Sequence, residues 1–414
     1  MEVKPGYKQT EVGVIPEDWQ VRRLCEISPK QSVGLVINPS TYFDRNGIVP
    51  MLVGSNVGEN KIDWDGAKKI TIESNEKLLA SRLNAGDLVT VRVGEPGVTS
   101  TIPKEHDGAN CASMMIVRSH ASFDSEWLCH LMNSPLGKNQ IESVQYGTAQ
   151  KQFNISDAVD FLYPTPPLRE QRAIATALSD MDALLDGLDR LIAKKRAIKQ
   201  ASMQQLLTGQ TRLPGFSGEW EVKRLGDLAD VRSGGTPSTG DAGAWDGTIP
   251  WCTPTDITAL EGRKYLTTTN RAITEHGLST SSAELIPARS IVMTSRATIG
   301  ECAINAGPVT TNQGFKNLVP HDSVDVEFLY YLLSTQTQGL IGLSAGSTFL
   351  EIGKTQLRQY EIKLPAKKDE QTAIATVLSD MDAEITALET RRTKTRALKQ
   401  AMMQELLTGR TRLV

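Results

Sequence analysis

Several features that define whole classes of protein are missing from this chain of 414 residues. No stretch approaches the run of about 18 apolar residues that a membrane-spanning helix needs. The start, MEVKPGYKQTEVG, lacks the hydrophobic core of a secretory signal. The five cysteines are scattered and form no Cys-x-x-Cys pair. We therefore expect a cytoplasmic protein with reduced thiols, without a disulfide framework or a zinc site.

An excess of positive charge is also missing. The chain has 45 Lys and Arg against 48 Asp and Glu, which gives a net charge of −3. This balance argues against an indiscriminate binder of polyanions, but it leaves room for a local basic surface. At this length, and with 39% hydrophobic residues, we expect two or three folded domains.

Catalytic motifs are absent as well. The Gly-Lys-Thr at 353–355 resembles the end of a P-loop, but Thr348 stands where that loop requires glycine. The TPPL at 165–168 lacks the aromatic residue of an adenine methyltransferase motif. A nuclease built from Asp325 and the Glu-x-Lys at 361–363 is weakly supported, because Glu-x-Lys recurs elsewhere by chance. The five histidines show no metal-ligand spacing. The sequence predicts no catalytic site and no metal site.

What the chain does have is an internal repeat. Residues 170–213 (EQRAIATALSDMDALLDGLDRLIAKKRAIKQASMQQLLTGQTRL) return at 370–413, and about 28 of the 44 aligned pairs are identical. The segment EDWQVRRLCEI at 17–27 likewise resembles GEWEVKRLGDL at 218–228. Each repeat opens with a block of about 150 residues. Short β-branched runs, Gly/Pro/Asn turns and short helical patterns predict a mixed α/β domain for each block.

The repeated segments read as long helices with an apolar seam spaced by alternating four and three residues. The seam positions are Ile174, Leu178, Met181, Leu185 and Leu188, followed by Ile374, Leu378, Met381, Ile385 and Leu388. A helix of this length spans roughly 60 Å, so it needs a partner along its length. Its own duplicate, packed antiparallel, supplies one, because a duplicated unit that folds back on itself acquires an approximate two-fold axis. A coiled coil between two chains is the alternative.

The predicted organisation is α+β, with two mixed α/β domains separated by an antiparallel two-helix coiled coil and a pseudo-two-fold repeat of about 200 residues. The predicted segments are a first domain at 1–166, a first spacer helix at 167–210, a second domain at 211–366 and a second spacer helix at 367–414. Basic residues gather late in both helices, at 190–199 and 391–399. They indicate either a solvated face or a positive stripe beside a polyanion.

A family resemblance rests on an ordered set of motifs. They are VGVIPEDWQVRRL, PPLREQRAIATALSDMDALLDGL, QLLTGQTRL, SGGTPST, IPWCTPTDI, RATIG, NQGF, AGSTF, LPAKKDEQTAIATVLSDMDAEITAL and ELLTGRTRL. With these motifs the chain resembles, over essentially its whole length, the specificity (S) subunit of Type I restriction–modification systems. The first block departs from the pattern. It has no SGGTP, and NCASMMIV stands where the second block has NQGFKNLV.

The resemblance implies a function in DNA recognition. The two blocks would be target-recognition domains, each reading one half of an asymmetric bipartite site in double-stranded DNA. The spacer helices would dock methyltransferase (M) subunits, expected to be two, and restriction (R) subunits would join the full complex. Adenine-N6 methylation and ATP-dependent cleavage would belong to these partners. No cofactor is then expected on this chain, and S-adenosylmethionine, ATP and Mg would be bound by the partners.

The candidate DNA-contacting residues lie in polar, glycine-containing loops. Lys and Arg suit phosphates and guanine, whereas Asn and Gln suit adenine. In the first block the candidates are Arg92, Thr99, Ser100, Thr148, Gln150, Lys151, Gln152 and Asn154. In the second block they are Ser233, Gly234, Gly235, Thr236, Arg296, Asn312, Gln313, Lys316, Ser347, Thr348 and Lys354. Trp19 and Trp220, at the block starts, are interpreted as core anchors rather than base-stacking platforms.

Two other interpretations remain open at this point. The chain could be a duplicated α/β scaffold whose modules bind protein or glycan partners. It could also be the recognition region of a fused methyltransferase–nuclease.

Overall fold

The structure is a computed structural model that describes residues 4–148, 150–296, 298–344 and 351–413. The chain divides into two compact units. The first comprises Met1–Arg190 with Glu389–Val414, and the second comprises Leu191–Leu388. The four consecutive segments predicted from the sequence set the long helices apart as separate pieces. The contacts instead assign one half of each long helix to each unit.

The first half of the chain contains thirteen of the described strands and six of the described helices. The strands are β1 Tyr7–Thr10, β2 Gly13–Pro16, β3 Gln20–Arg23, β4 Gln31–Val33, β5 Val49–Leu52, β6 Val57–Gly58, β7 Lys61–Ile62, β8 Lys68–Ile70, β9 Leu88–Val91, β10 Thr99–Thr101, β11 Asn110–Cys111, β12 Met114–Val117 and β13 Leu162–Thr165. The helices are α1 Leu24–Ile27, α2 Ile72–Lys77, α3 Ser125–Asn133, α4 Pro135–Val144, α5 Ile155–Ala158 and α6 Leu168–Leu206.

The second half repeats this plan. Its strands are β14 Trp220–Arg224, β15 Ala229–Ser233, β16 Trp245–Cys252, β17 Tyr265–Leu266, β18 Arg271–Ile273, β19 Ile291–Thr294, β20 Cys302–Asn305, β21 Thr310–Thr311, β22 Phe315–Pro320 and β23 Glu361–Pro365. Its helices are α7 Leu225–Leu228, α8 Pro254–Thr258, α9 Glu275–Ser279, α10 Val326–Ser334, α11 Thr337–Gly342, α12 Lys354–Gln359 and α13 Lys368–Leu406.

The four strands of the first unit's central sheet correspond to four of the five strands in the second unit's sheet, and β17 is the additional strand. In the first unit the order is β10-β9-β12-β4, and in the second it is β15-β22-β19-β20-β17. Met114 on β12 pairs with Val91 on β9, just as Phe315 on β22 pairs with Thr294 on β19. Strands β9, β12 and β19 are buried along their whole length. Their β-branched and apolar composition fits strands that are covered on both faces.

A helix with the same start packs near each sheet. Helix α3 begins after Asp124, whose carboxylate accepts the N–H of Trp127, and α10 begins after Asp325, which accepts the N–H of Phe328. An aspartate at this position satisfies backbone donors that the first helical turn leaves free. Both helices are almost wholly buried. They carry the aromatic side chains that fill the core of their own unit.

The long helices α6 and α13 each contain 39 residues and pair antiparallel within each unit. In the first unit, Leu178 near the start of α6 shares a core with Leu406 near the end of α13. In the second unit, Leu378 near the start of α13 shares a core with Leu206 near the end of α6. Full burial of a leucine side chain contributes about 1.5–3 kcal/mol. The predicted antiparallel helix pair is confirmed, and both partners come from one chain.

The remaining seam positions line the middle of the pair. Leu188 and Ile385 are buried, whereas Met181, Leu185, Met381 and Leu388 are half-buried.

Several of the basic residues late in the helices form ion pairs across the pair. Lys399 binds Asp182 in the first unit, and Lys199 binds Asp382 in the second. Lys195 pairs with Glu384 at 2.7 Å and Arg392 pairs with Asp189 at 2.9 Å. Partly exposed pairs of this kind contribute about 0.2–1 kcal/mol each. These four cations therefore serve the helix pair itself, whereas neighbours such as Lys194 and Lys394 are exposed.

Each long helix is fastened at its start by a buried glutamate. In the first unit, Glu170 accepts the indole N–H of Trp19 at 3.0 Å and two guanidinium bonds from Arg412, at 2.6 and 2.7 Å. In the second unit, Glu370 accepts the indole N–H of Trp220 at 3.3 Å. It also accepts a bond from Arg212 Nη2 at 2.7 Å. Both tryptophans are buried, so their interpretation as core anchors is confirmed.

No helix in the described part of the chain combines the length and the apolar character needed to cross a membrane.

Candidate nucleic-acid interface

Loops that carry the candidate residues of the second unit meet at one end of its central sheet. Strand β15 ends at Ser233, opposite Lys316 near the start of β22, and β19 ends at Thr294, opposite Phe315. The antiparallel register therefore brings the loop after β15, the loop before β22 and the loop after β19 to the same end of the sheet. We call the side chains at this end the recognition edge of the second unit. They are Thr236, Arg296, Asn312, Gln313, Lys316 and Glu351.

An ion cluster lies at the centre of this edge. Arg296 and Glu351 pair through their backbones, and Arg296 Nη2 lies 2.7 Å from Glu351 Oε2. The other carboxylate oxygen, Oε1, lies 3.4 Å from Lys316 Nζ. The hydrogen bond from Arg296, with the charge of Lys316, lowers the pKa of Glu351 below its ordinary value. Glu351 is therefore ionised at neutral pH and holds two cations, one exposed and one buried.

Amide and hydroxyl groups flank the ion cluster. Thr236 donates a hydrogen bond to Gln313. Asn312 Oδ1 accepts the N–H of Gly314 at 2.9 Å, which keeps the intervening turn in place. Gln313 is exposed, and Thr236 and Asn312 are half-buried. Lys354, also predicted to contact DNA, is exposed at the first position of α12.

The Ser-Gly-Gly at 233–235 is held by contacts inside the protein. A Cβ added at Gly234 would lie 1.8 Å from the carbonyl oxygen of Asn312, and one at Gly235 would lie 2.3 Å from the nitrogen of Ala283. Glycine is thus required there by the close approach of two backbone segments. A DNA contact from these three residues stays a prediction, and Ser347 and Thr348 lie outside the described residues.

The corresponding edge of the first unit has a different composition. Val93 pairs with Gln152 at the position where Arg296 pairs with Glu351. Arg92 Nε donates to the carbonyl of Phe153 at 3.3 Å, and the N–H of Gly94 donates to the carbonyl of Lys151 at 3.1 Å. These bonds join the loop after β9 to the segment before α5. The recognition edge of the first unit consists of Arg92, Val93, Gln150, Lys151 and Gln152.

Two further candidates border this edge. Thr148 is exposed, and so is Asn154, whose Oδ1 accepts the hydroxyl of Tyr146 at 2.9 Å.

Thr99 and Ser100 lie inside the first unit, on β10, and both are buried. Thr99 Oγ1 is 2.9 Å from Thr90 Oγ1 and donates to the carbonyl of Gly97 at 3.0 Å. Ser100 Oγ donates to the carbonyl of Gly58 at 3.3 Å. Their side chains thus serve internal hydrogen bonds, and we leave both residues out of the recognition edge.

Sequence reasoning missed two features of these edges. The first is Glu351, which could have been found by aligning QFN at 152–154 with EIG at 351–353 in the internal repeat. The second is a recess of about 250 Å³ in the first unit. Its lining is mostly apolar, and it consists of Pro39, Val53, Gly54, Ser55, Val91, Val93, Ala112, Ser113 and Gln150. Because these residues come from separate segments, local sequence patterns carry no signal for the recess.

Among the residues that the structure describes, no group of three or more His, Cys, Asp or Glu side chains could hold a metal ion. Burial raises the pKa of the Cys111 and Cys302 thiols to about 12. Both cysteines are therefore neutral thiols at physiological pH.

Comparisons with known proteins bear on the family. Residues 217–397 match the family model described as Type I restriction modification DNA specificity domain. The chain is 42% identical over 175 residues to the Type I restriction enzyme MjaIX specificity subunit of Methanocaldococcus jannaschii, a match that covers 42% of this chain and only 40% of that relative. It is 24% identical to a putative MjaX specificity subunit of the same organism, over 99% of this chain and 97% of that relative.

Solved structures share the fold. The HsdS subunit from Thermoanaerobacter tengcongensis aligns with a TM-score of 0.52 and 22% identity, over 95% of this chain and 98% of the other. The Type I restriction–modification S subunit from M. genitalium aligns with a TM-score of 0.61 and 14% identity, over 98% of both chains. Residues 217–397 thus match the specificity domain of Type I restriction–modification systems, and the chain is similar to specificity subunits of these systems in sequence and in fold.

Proposed function

We propose that this chain is the sequence-specific DNA-binding subunit of a Type I restriction–modification complex, with each unit reading one half of an asymmetric bipartite target. One observation carries the proposal. Two units with matching sheets present different side chains at the same place, Arg296 with Glu351 in one and Val93 with Gln152 in the other. A repeated framework with a changed surface suits two related tasks with different targets.

The recognition edges contain both kinds of group that DNA recognition needs. Cations such as Lys151 and Arg296 can contact phosphates or guanine, and exposed amides such as Gln150 and Gln313 can contact adenine. All four of these side chains are exposed to solvent, as groups that contact a ligand must be. The net charge of −3 then requires that DNA affinity come from these local groups rather than from the protein as a whole.

The docking of methyltransferase subunits is supported by identity at exposed positions of the repeat. Asp180 and Asp380 are identical and exposed, and so are Gln204 and Gln404. Core packing does not explain identity at exposed positions of a helix, whereas a partner that binds twice, once to each repeat, does. We therefore propose two methyltransferase subunits per chain, with restriction subunits joining through them in the full complex.

Catalysis belongs to these partners in our proposal. This chain would contribute only recognition. S-adenosylmethionine would be bound by the methyltransferase subunits, and ATP and Mg would be used by the restriction subunits. All of this would take place on DNA in the cytoplasm.

Methylation-aware sequencing of the host genome, with and without this gene, tests the proposed function. We expect N6-methyladenine at one bipartite, asymmetric motif that disappears when the gene is deleted and returns on complementation. An unchanged N6-methyladenine pattern after deletion would contradict the proposal. A restored pattern with a chain that lacks the second recognition edge would contradict the assignment of one half-site to each unit.

A further inference from the structure

The two recognition edges can be compared residue by residue, because the backbone contacts around them are equivalent. The N–H of Phe153 donates to the carbonyl of Arg92, and the N–H of Ile352 donates to the carbonyl of Ser295. These contacts place Val93 and Gln152 in the first unit where Arg296 and Glu351 stand in the second. The strand register adds a third equivalence, in which Met115 corresponds to Lys316.

In the second unit the three equivalent positions form a charged cluster. Lys316 is only 5% exposed, so its ammonium group depends on Glu351 for a counterion. Arg296 uses Nη2 to bind the other carboxylate oxygen at 2.7 Å. A guanidinium group has five N–H donors in a planar arrangement. The cluster thus holds the arginine at a set position, and the guanidinium group carries further N–H donors besides the one directed at Glu351.

In the first unit the same three positions carry no charge. Val93 and Met115 are apolar, and Gln152 has a neutral amide. Val93 lines the recess of about 250 Å³ described above, which also contains Val53, Val91 and Ala112. Gln150 lies at this recess and is exposed. An apolar surface beside a glutamine amide contrasts directly with the ion cluster of the second unit.

These two chemistries match different base pairs. In the major groove, guanine offers two acceptors, O6 and N7, that an arginine binds with two hydrogen bonds. An adenine–thymine pair instead offers N6 and N7 of adenine, which suit a glutamine, and a methyl group on thymine, which suits an apolar surface. One position in the fold therefore favours a guanine in one unit and an adenine–thymine pair in the other.

We propose, on the basis of the DNA-reading function above, that this cross-strand position determines base preference in both half-sites. Arg296 contacts a guanine in the half-site of the second unit, and Glu351 is the positioning residue that aims it. In the first unit, Gln152 and Gln150 contact an adenine, and the recess beside Val93 accepts the methyl group of the paired thymine.

The test is a selection from randomised duplex DNA with the full chain, alone and with its co-purified methyltransferase partner. The main variant, R296V/K316M/E351Q, places the first unit's residues in the second unit and leaves no buried lysine without a counterion. We expect one fixed G·C position in the second half-site to be lost and the first half-site to stay unchanged. Selection at the other positions of the second half-site should persist, which reports that the second unit of the variant is folded.

Two single variants separate base contact from general charge effects. R296K keeps the positive charge but cannot form two planar hydrogen bonds. We expect it to bind random DNA as the wild type does and to lose at least about fivefold in preference for the guanine. E351Q should bind random DNA more tightly and discriminate less. If Glu351 had a purely structural role, E351Q would lower both the affinity for random DNA and the preference for guanine.

Modified bases give a readout that is independent of protein stability. Replacing the selected guanine with 7-deazaguanine removes N7, and replacing thymine with uracil removes the methyl group. The first change should weaken wild-type binding and leave R296V/K316M/E351Q unaffected, and the second should act only in the first half-site. A bipartite consensus insensitive to these variants and bases would overturn this inference while the proposed function stands. The absence of any consensus would overturn the proposed function itself.

Discussion

The two units are nearly identical around their long helices and unlike at their recognition edges. Gln171 accepts the N–H of Asp124 at 2.9 Å and donates to the carbonyl of Pro166. Gln371 makes the same two bonds to Asp325 and Pro365. At the sheet ends, by contrast, charged residues in one unit replace apolar and amide residues in the other. The framework around the helices therefore supports a common role, and the sheet ends support separate ones.

One difference lies within the shared framework itself. His130 on α3 is fully buried and its Nε2 lies 3.1 Å from Ser179 Oγ, with Asp182 nearby. The equivalent residue on α10 is Tyr331, whose hydroxyl donates to Asp382 at 2.6 Å. The same contact between a short helix and a long helix thus uses a titratable imidazole in one unit and a phenol in the other. This difference predicts unequal responses to acid.

The largest expected effect concerns the helix pair as a spacer. Inserting seven residues, about two turns, within 186–196 and the same number in the facing part of α13 lengthens the pair by roughly 10 Å. At about 3.4 Å per base pair, we expect the gap between half-sites to grow by about three base pairs. Methylation-aware sequencing of the host measures the gap. Changed half-sites with an unchanged gap would rule out a spacer role.

Replacing the buried glutamates tests whether the equivalent contacts at the starts of the two long helices contribute equally to stability. Glu170 binds Trp19 and Arg412, and Glu370 binds Trp220 and Arg212. We expect E170A and E370A each to lower the free energy of unfolding by about 3 kcal/mol, because each leaves an arginine and an indole without their buried acceptor. Urea unfolding followed by circular dichroism measures the loss. The exposed pair Lys77–Glu73 provides a matched control, and E73A should change little.

Acid should destabilise the first unit before the second. Burial, with the charge of Lys399, lowers the pKa of His130 to about 3. A histidine that is neutral in the folded state contributes its full stabilisation of the fold above its unfolded pKa of about 6.5. As the pH falls from about 6.5 to about 3, the free energy of unfolding decreases by at most about 1.4 kcal/mol per pH unit. In the second unit, hydrogen bonds from Lys264, Tyr265 and Ser379 outweigh burial and lower the pKa of Glu327 to about 2. Its contribution is lost only below about pH 4.5.

The histidine variant isolates this difference. In H130Q the decrease in stability between pH 6.5 and 4.5 should become shallower, as measured by urea unfolding at several pH values. Burial raises the pKa of Glu126, so protonation of this carboxyl favours the folded state as the pH falls. Glu126 is present in the wild type and in H130Q, so its effect cancels in the comparison. An equally steep decrease in H130Q would show that His130 is not its source. Y331F serves as the matched control, because it removes a hydroxyl that stays protonated throughout this range.

The smallest effects should come from the interhelical ion pairs. Lys399 with Asp182 and Lys199 with Asp382 occupy equivalent places in the two units. K399A and K199A should each cost about 0.5 kcal/mol, and this difference should shrink at high salt. Thermal unfolding at low and high ionic strength measures it. If the two variants lost different amounts of stability, the two ion pairs would contribute unequally to the free energy of unfolding despite their equivalent positions.

Much of the fold could be predicted from the sequence because its determinants are periodic or repeated. The seam positions of α6 and α13 and the paired tryptophans all have local signals. The recognition edges were predicted less completely. The polar residues at 150–154 lie on the surface, as the loop composition indicated, but Thr99 and Ser100 are buried in β10. A short polar run has the same composition whether it lies in a loop or in a covered strand, and only strand pairing separates the two.

The repeat, the two mixed domains and the antiparallel helix pair could be predicted from the amino acids alone, because each depends on patterns that recur along the chain. The folded chain was needed to show that Glu351 joins Arg296 to Lys316, that Val93 borders an apolar recess, and that Lys199 and Lys399 serve the helix pair. These contacts join residues that are distant in sequence, and their partners depend on the register of strands and helices. Local composition carries no information about that register.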